Sequence, residues 1–277
     1  MAGTFHRAGV PTTVWNRDRV KADAVGEALG ISVESSAAAA SAAADIVISS
    51  LADDVAVKNV YLGSDGIAAG IRESAIVIDT STIDPETSKE IGDAIDSAGA
   101  GFLDCPVSGD VSLAETGSLT MMAGGDPELL ERATPVLDAL AARIIYVGGR
   151  GSGAATKLAV NGLLHGLNVA LSEAIVLAER AGVDRRTAYE VFAGGAGGAP
   201  YVQYKRKAFE DPDEAPLAFN LQLVAKDLEL ITGLGERVGL PMAQANTGLD
   251  IVRRAIEGGY GEKDLSAIAV FLREGDL

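Results

Sequence analysis

The fold of this chain is decided by two short apolar runs, Asp45-Ile-Val-Ile-Ser-Ser-Leu51 and Ala75-Ile-Val-Ile-Asp79. Compact runs without alternation are typical of strands that are buried on both faces of a sheet. A helix start follows each run. Asp53 caps a segment that reaches about Tyr61, and Asp84-Pro-Glu86 combines a capping residue, a first-turn proline and an acid. Strands that alternate with helices predict βαβ units and a mostly parallel sheet.

The same alternation continues on either side of these runs. Further strands are predicted at 10–15, 101–104, 118–123 and 143–147, and further helices at 18–29, at the alanine-rich stretch 36–44 and from Asp126 onward. We interpret the alanine-rich stretch as an ordinary surface helix. The whole pattern predicts an α/β domain with a mostly parallel sheet over residues 1–149.

Beyond residue 149 the pattern changes to helices alone. Apolar residues recur at helical spacing from Gly153 to about Ala181. Further helices are predicted around 185–193, 220–238 and 242–257. No strand run appears, so the prediction is an all-helical domain over residues 150–277, joined to the first by a glycine-rich hinge.

The composition restricts the class of protein. The 277 residues are 48% hydrophobic and 22% charged, which is enough apolar material for about two globular domains. The formal net charge of -16 makes nucleic acid a poor partner, because phosphate contacts need clustered lysine and arginine. The single cysteine, Cys105, cannot form an intrachain disulfide, and this suits a reducing cytoplasm.

No membrane segment, signal peptide or metal site is predicted. The longest apolar runs are broken by charges or glycines well short of the ~20 residues that a membrane span needs. The N-terminal residues lack the apolar core of a signal peptide. We therefore expect a soluble, cytoplasmic protein that does not bind membranes.

One glycine motif resembles a dinucleotide fingerprint. Gly149, Gly151 and Ala154 fit G-x-G-x-x-A after an apolar run. No second strand follows, so no βαβ unit surrounds the motif, and the dinucleotide interpretation is weak. The main interpretation is a flexible interdomain turn followed by a helix start.

The end of the predicted strand at 10–15 bears on the choice of cofactor. In the doubly wound fold an acid at the tip of the second strand selects NAD, whereas an arginine accommodates the 2′-phosphate of NADP. Here the strand runs into Asn16-Arg-Asp-Arg19, with two arginines next to the tip. This favours NADP, and the alternative is a solvated helix start.

A narrow polar stripe lies on the long helix of the second domain. Its members are Lys157, Asn161, His165, Asn168 and Ser172, which fall on one face at about 100° per residue. The stripe could face a cavity. Lys157 lies in the first turn or so, where the helix dipole and desolvation would lower its pKa and suit it to acid/base work. The alternatives are a snorkelling surface lysine and, for His165, a hydrogen-bonded core or interface histidine.

Several motifs together resemble the β-hydroxyacid dehydrogenase family. Asp104-Cys-Pro-Val-Ser-Gly109, with Gly117-Ser-Leu-Thr-Met-Met-Ala-Gly-Gly125, is similar to the family's substrate loop. The segment Gly151-Ser-Gly-Ala-Ala-Thr-Lys-Leu-Ala-Val-Asn161 looks like its catalytic segment. Three further motifs match in the same order, at 14–17, 79–82 and 225–228. The family includes 3-hydroxyisobutyrate dehydrogenase, tartronate semialdehyde reductase and glyoxylate/succinic semialdehyde reductases.

The resemblance implies a fold, a function, a cofactor and a set of site residues. The implied fold is α/β, with a doubly wound, Rossmann-type dinucleotide-binding domain over residues 1–149 followed by the all-helical domain. The implied reaction interconverts a small anionic β-hydroxyacid and its semialdehyde or oxo-acid, with NADP as cofactor and NAD possible, in a homodimer or homotetramer. The implied roles are Lys157 as general acid/base, Asn161 holding the substrate, Ser108 and Gly109 binding its carboxylate, Asn16, Arg17, Leu51 and Thr82 beside the cofactor, and Lys226 reaching both.

Two positions near the implied site depart from the family pattern. Asp110 stands where glycine is usual, and its carboxylate would repel an anionic substrate unless it points away. Asp18 stands where threonine is frequent, next to the expected 2′-phosphate. The related imine reductases usually place another residue at the position of Lys157, so the lysine favours the hydroxyacid branch.

The largest departure is at the front of the chain. Family members begin with a central strand and a G-x-G-x-x-G turn that cradles the cofactor's pyrophosphate, and this sequence begins at what looks like the next helix. We therefore expect a gap in the sheet and weaker cofactor binding. Either the true start lies upstream and the enzyme is normal, or the protein is a truncated pseudoenzyme that forms a dimer through its helical domain.

Overall fold

The computed structural model describes residues 1–214 and 217–275, and it divides the chain into two compact units. The first unit ends at Lys157 and the second begins at Leu158. The division falls inside the long helix, and the predicted boundary at residues 149 and 150 stays a prediction.

The first unit is a sheet covered by helices. Its strands are β1 (Ile46–Ser49), β2 (Ile76–Asp79), β3 (Gly101–Asp104), β4 (Val107–Ser108), β5 (Leu119–Gly125) and β6 (Ala141–Gly148). Its helices are α1 (Ala2–Arg7), α2 (Arg19–Leu29), α3 (Ala37–Ala42), α4 (Asp54–Leu62), α5 (Ile67–Gly70), α6 (Pro85–Ser97), α7 (Val111–Glu115) and α8 (Pro127–Leu137). The predicted Rossmann-type α/β domain is confirmed.

The sheet is mixed. Its order is β1-β2-β3-β5-β4, with β6 beside β5. Strands β1, β2 and β3 are parallel, as are β5 and β6, whereas β5 runs antiparallel to β3 and β4. The antiparallel pairs arise because the chain doubles back between β3 and β5. The carboxyl ends of β1, β2 and β3 lie at one edge, where the doubly wound fold places its ligands.

Both faces of the sheet are buried, which explains the uninterrupted apolar runs in the sequence. On β2, Val77 packs into one core cluster with Tyr61 and Ile91, while Ile76 and Ile78 pack into another on the opposite face. All four β2 residues are buried. The same two-sided burial accounts for the absence of a polar alternation in this strand.

The prediction of a strand at 10–15 is wrong. Only Val14 is paired in this segment, in an isolated parallel bridge to Val33. Among the described residues, β1 is hydrogen-bonded to β2 alone, so its other edge is open. A strand needs a neighbour that supplies hydrogen bonds, and the segment around Val14 has too little paired backbone to form one.

The alanine-rich helix α3 lies at the surface and packs against the unit through one side. Ser36 caps α3 by accepting a hydrogen bond from the backbone of Ala39. Ala37 is buried, and α3 packs so closely on α5 that a Cβ on Gly70 would lie 2.2 Å from the carbonyl oxygen of Ala38. The small side chains permit this approach. Ala42 is exposed and residues 38–40 are half-buried, so the helix is consistent with the predicted surface helix and packs through one side.

The second unit is built from helices. They are α9 (Ser152–Arg180, which begins in the first unit), α10 (Arg185–Gly194), α11 (Pro200–Tyr204), α12 (Arg206–Glu210), α13 (Leu221–Arg237), α14 (Ala243–Ala255), a π-helical turn (Ile256–Tyr260) and α15 (Ile268–Glu274). The described residues contain no strand here beyond a bridge between Asn220 and Asp264. The all-helical prediction is confirmed, and the short helices α11, α12 and α15 were not predicted.

Helix α9 corrects one expectation. It has 29 residues, and its length and composition are sufficient to cross a membrane. The expectation that every apolar run falls well short of a span is therefore wrong for this segment. Half of the apolar 18-residue stretch within this helix is buried inside the structure. Leu158, Ile175 and Val176 pack in the core of the helical unit, as in the central helix of a bundle.

Candidate functional site

A buried carboxyl group joins the carboxyl ends of β1 and β2. Asp79 is 1% exposed, and its Oδ1 accepts hydrogen bonds from the hydroxyls of Ser49 (2.6 Å) and Ser81 (2.7 Å). The hydroxyl of Tyr61 lies 2.7 Å from that of Ser49. Burial raises the pKa of Asp79 to about 6, although the two serine hydroxyls act in the opposite direction. The network fixes the ends of the two strands relative to each other.

The same network connects two residues that the resemblance implies for cofactor binding. The backbone N–H of Leu51 donates to the hydroxyl of Ser81 (2.9 Å), and Ser81 directly precedes Thr82. Both loops lead into capped helices, with Asp53 and Asp84 accepting hydrogen bonds from the first turns of α4 and α6. Leu51 and Thr82 are therefore carried by two neighbouring, well-anchored loops.

The glycine motif between β6 and α9 binds a carboxylate of the protein itself. Asp104, at the end of β3, accepts hydrogen bonds from the backbone N–H groups of Gly151 (3.0 Å) and Ala154 (2.9 Å). Burial raises the pKa of this carboxyl group, and the backbone N–H groups partly offset the effect. The anion position of this helix start is therefore occupied by Asp104, which excludes the dinucleotide interpretation of the motif.

Close packing also explains a glycine of this motif. A Cβ on Gly153 would lie 2.2 Å from the carbonyl oxygen of Asp104 and 2.6 Å from that of Met122. Only glycine allows this approach of helix to sheet. The predicted helix start is present, and its hydrogen bonds to Asp104 and this close packing anchor it to the sheet.

The implied substrate loop follows β3. Ser108 is the last residue of β4 and pairs with Thr120 of β5. Gly109 has φ +134°, and a Cβ there would lie 2.8 Å from the side chain of Leu119. The structure thus holds Ser108 in a strand and gives Gly109 a conformation that other residues rarely adopt.

The carboxylate of Asp110 is committed to the helix that follows it. Its Oδ1 accepts hydrogen bonds from the hydroxyl of Ser112 (2.7 Å) and the backbone N–H of Leu113 (3.1 Å), which caps α7. The hydrogen bond from Ser112 lowers the pKa of Asp110. Asp110, which replaces the usual glycine of the family, is therefore the N-cap residue of α7.

The segment that the sequence predicts to select the cofactor, Asn16-Arg-Asp-Arg19, forms an exposed turn that leads into α2. The side chain of Asn16 accepts a hydrogen bond from the backbone of Asp18 (2.9 Å), and Asp18 in turn caps α2. Arg19 pairs with an acid within its own helix. Arg17 is exposed and makes no ion pair among the residues that the structure describes. Of the two arginines, Arg17 is the one whose guanidinium is not committed to a carboxylate.

Lys157 is the sixth residue of α9 and is half-buried. It lies in the second turn, whereas the sequence placed it in the first turn or so. Because the helix dipole acts mainly within the first turn, the dipole contributes less at Lys157 than the sequence argument assumed. Asn161 follows four residues later on the same face.

In the helical unit, one buried carboxylate holds two of the predicted site residues. Asp227 on α13 is 0% exposed. Its Oδ2 accepts a hydrogen bond from the amide of Asn161 (2.6 Å), and its Oδ1 lies 2.9 Å from the ammonium of Lys226. Burial alone would raise the pKa of Asp227, but the hydrogen bond from His165 and the charge of Lys226 lower it overall.

The polar stripe of α9 does not face a cavity along its whole length. Two members nearer the N-terminus of the helix, Asn161 and His165, contact Asp227. The two members nearer the C-terminus make their hydrogen bonds inside the helical core. Asn168 accepts from the Tyr201 hydroxyl (2.6 Å) and donates to the backbone carbonyl of Leu265 (2.9 Å), and Ser172 donates to a backbone carbonyl of its own helix. His165 matches the alternative of a hydrogen-bonded core histidine.

Sequence reasoning assigned no role to Asp79, Asp104 or Asp227. A signal was present for each. Asp79 and Asp104 end buried strands at the same register, and Asp227 falls on the buried stripe of α13 between Val224 and Ile231. An acid on an otherwise apolar, inward-facing stripe needs partners, and here those partners include predicted site residues.

Two family models cover the chain almost completely. One, described as the NAD binding domain of 6-phosphogluconate dehydrogenase, matches residues 1–148. The other, described as NAD-binding of NADP-dependent 3-hydroxyisobutyrate dehydrogenase, matches residues 151–272. The predicted cofactor class, NAD(P), is confirmed.

Named relatives agree with these models. Glyoxylate/succinic semialdehyde reductase 1 of Arabidopsis thaliana is 35% identical over 268 residues, covering 97% of this chain and 92% of that protein. Mitochondrial 3-hydroxyisobutyrate dehydrogenase of Bos taurus is 32% identical over 282 residues, covering 99% and 83%. The solved 3-hydroxyisobutyrate dehydrogenase of Mycobacterium tuberculosis with L-serine has a TM-score of 0.86 at 30% identity, covering 98% and 94%. As its motifs predict, the chain belongs to the β-hydroxyacid dehydrogenase family, whose members are NAD(P)-dependent oxidoreductases that act on the CH–OH group of hydroxyacids.

Proposed function

We propose that this protein interconverts a small β-hydroxyacid and its semialdehyde or oxo-acid, and that it prefers NADP(H) to NAD(H). The observation that supports this most is the buried carboxylate of Asp227, which holds the amide of Asn161 and the ammonium of Lys226. An amide N–H and an ammonium are suitable donors to the oxygen atoms of a hydroxyacid. The substrates named for the relatives, glyoxylate, succinic semialdehyde and 3-hydroxyisobutyrate, are the first candidates.

In this proposal Lys157 is the general acid/base. During reduction its ammonium donates a hydrogen bond, and then a proton, to the carbonyl oxygen on which negative charge develops. During oxidation its neutral amine removes the proton from the hydroxyl. Asn161 and Lys226 hold the reacting end of the substrate, and Ser108 and Gly109 bind its carboxylate. The bound nicotinamide supplies or accepts the hydride.

The described residues fit NADP(H) at two places. The uncommitted guanidinium of Arg17 suits a 2′-phosphate, because arginine binds phosphate in a bidentate manner. The loops that carry Leu51 and Thr82 lie at the carboxyl ends of parallel strands, and their backbone is already fixed by the Asp79 network. The glycine motif at 149–154 is filled by Asp104 and takes no part.

The proposal is tested by following NADPH consumption with glyoxylate, succinic semialdehyde and tartronate semialdehyde. We expect turnover with at least one of them, a loss of turnover in Lys157→Met, and normal turnover in the control Lys207→Met, an exposed lysine of the helical unit. The assay is run on the 277-residue protein and on a version extended by the in-frame codons before Met1. No turnover in either version, or turnover that Lys157→Met leaves unchanged, contradicts the proposal.

The second candidate is a non-catalytic protein that self-associates through its helical unit. The open edge of β1 favours it, because in the doubly wound fold a central strand with a glycine-rich turn binds the pyrophosphate, and no such strand pairs with β1 among the described residues. Titration of NADPH into the 277-residue protein separates the candidates: micromolar binding contradicts the non-catalytic candidate. An imine reductase is the third candidate, which turnover of a cyclic imine would reveal.

We also propose that the protein is a cytoplasmic homodimer or homotetramer. Helix α9 leaves Leu163 76% and Leu177 71% exposed, and the neighbouring helix α10 leaves Val191 66% exposed. An apolar cavity of about 320 Å³ lies between these helices. Large exposed apolar side chains next to an apolar cavity are typical of an interaction surface, and we assign this surface to a second copy of the chain. Light scattering of the wild-type protein and of Leu163→Glu tests the assembly, and a wild-type monomer at micromolar concentration contradicts it.

A further inference from the structure

His165 is a buried titratable side chain that the proposed chemistry does not use. It lies on α9, one turn after Asn161, and is 2% exposed. Its Nε2 lies 3.4 Å from Oδ2 of Asp227, the oxygen that also accepts the hydrogen bond from Asn161. Its Nδ1 is buried and has no hydrogen-bond partner among the described residues.

The ring of His165 is held from a second side. It stacks on the ring of Phe219, with centroids 6.1 Å apart and planes inclined by 26°. Phe219 is itself fixed through its backbone, whose N–H donates to the buried Asp264 and whose carbonyl accepts from the N–H of Leu265. The imidazole therefore has little freedom to turn away from Asp227.

The two ring nitrogens have unequal surroundings, and this selects one tautomer. A proton on Nε2 points toward the carboxylate of Asp227, whereas a proton on Nδ1 would be a buried donor without an acceptor. With hydrogen on Nδ1, the lone pair of Nε2 would also face the negative carboxylate, so both ring nitrogens would be unsatisfied; with hydrogen on Nε2, Nδ1 is the one unsatisfied ring nitrogen. The neutral ring with hydrogen on Nε2 is the form that fits.

We propose that His165 is a positioning residue for the active site: its Nε2–H fixes the carboxylate of Asp227, which in turn fixes the Asn161 amide and the Lys226 ammonium. The step from Asp227 to substrate binding rests on the proposed function. Loss of the Nε2–H would remove one of the two hydrogen-bond donors described for Oδ2, so the carboxylate and the two donors it holds could shift together.

The matched control is a hydrogen bond made to another buried residue of the same helix. Asn168 lies on the same buried stripe, is 1% exposed, and makes its hydrogen bonds to Tyr201 and to the backbone of Leu265. None of the hydrogen bonds described for Asn168 reaches Asp227. Removal of the Tyr201 hydroxyl therefore disturbs a buried hydrogen bond of the helical core and leaves the hydrogen bonds of Asn161 and His165 to Asp227 in place.

The proposal is tested with His165→Phe, His165→Gln and Tyr201→Phe. Phenylalanine keeps a ring for Phe219 and removes the donor, whereas glutamine restores an N–H near the position of Nε2. We expect His165→Phe to raise KM for the oxo-acid about tenfold with little change in KM for NADPH, and His165→Gln to recover most of the loss. Tyr201→Phe keeps wild-type kinetics.

Nitrogen NMR of the imidazole supplies a readout that does not depend on activity. The protein has two histidines, so His6→Gln assigns the signals. At pH 8, where histidine is ordinarily neutral, we expect His165 to carry its proton on Nε2 and the side-chain amide signal of Asn161 to shift in His165→Phe. A proton on Nδ1, an unshifted Asn161 signal, or unchanged kinetics in His165→Phe overturns the proposal. If the wild type has no turnover, the proposed function fails and the two NMR observations still decide the role of His165.

Discussion

The buried carboxyl group of Asp79 makes a quantitative prediction about stability. Its pKa is raised from 3.8 to about 6, chiefly by burial. At intermediate pH the folded protein therefore holds a proton that the unfolded chain has released. Stability falls with rising pH wherever the native state binds more protons than the unfolded state. This group alone lowers the free energy of unfolding by about 3 kcal/mol over its titration, most of it between pH 4 and pH 6.

The substitution Asp79→Asn removes this contribution. An asparagine does not titrate, and its carbonyl oxygen can accept the hydrogen bonds that Ser49 and Ser81 donate to the carboxylate. The free energy of unfolding of Asp79→Asn minus that of the wild type is therefore expected to increase by roughly 2.5 kcal/mol from pH 4 to pH 7.5. The pH dependence of the difference does not depend on any fixed cost of the substitution.

Urea unfolding measured at several pH values tests this prediction. Trp15 is the single tryptophan and packs against the core cluster that contains Val77, so its fluorescence reports on the unit that holds Asp79. The control is Asp65→Asn, at an exposed aspartate of the same unit. A difference between Asp79→Asn and wild type that stays constant within about 0.5 kcal/mol, or that decreases with pH, refutes the reasoning.

Three further predictions follow from single contacts. Arg17→Ala is expected to raise KM for NADPH about tenfold and to leave KM for NADH within about twofold, because the guanidinium has only the 2′-phosphate as its proposed partner; equal effects on both cofactors contradict this. Gly153→Ala is expected to lower the free energy of unfolding by more than about 2 kcal/mol, because the new Cβ meets two carbonyl oxygens, whereas Gly149→Ala, which meets nothing within 4 Å, changes it by less than about 0.5 kcal/mol. Lys205→Met leaves the buried carboxylate of Asp264 without its 2.9 Å partner and is expected to cost about 3–5 kcal/mol in urea unfolding; a cost below about 1 kcal/mol would show that the pair is not buried in solution.

Local signals in the sequence predicted most of the fold. A short apolar run predicted the buried strand β2, and Asp-Pro-Glu predicted the starts of α6 and α8. Each of these signals lies within a few consecutive residues, and the structure confirms all three elements. Helices α11 and α12 were missed because they have five residues each and are too short to be stable by themselves. They are stabilised by packing against the core of the helical unit.

The candidate site was predicted only where its signal is local in the sequence. The spacing of Lys157 and Asn161 is local and was visible on α9. The anchor of that helix start is Asp104, and the partner of Asn161 is Asp227, which lies 66 residues later in the chain. Contacts of this separation depend on how helices and strands pack. The strand predicted around Val14 is absent for a similar reason. The apolar pattern of the segment was suitable, but among the described residues its backbone pairs only in the bridge to Val33.

The central claim is that Lys157 moves the proton during an NADPH-dependent reduction. The most direct measurement is a single turnover, in which protein with bound NADPH is mixed with the oxo-acid that the steady-state assay identifies. The account predicts that Lys157→Met slows NADPH oxidation at least about 100-fold while its affinity for NADPH stays within about twofold of wild type. Equal rates in Lys157→Met and wild type, with both proteins saturated by NADPH, would contradict the account.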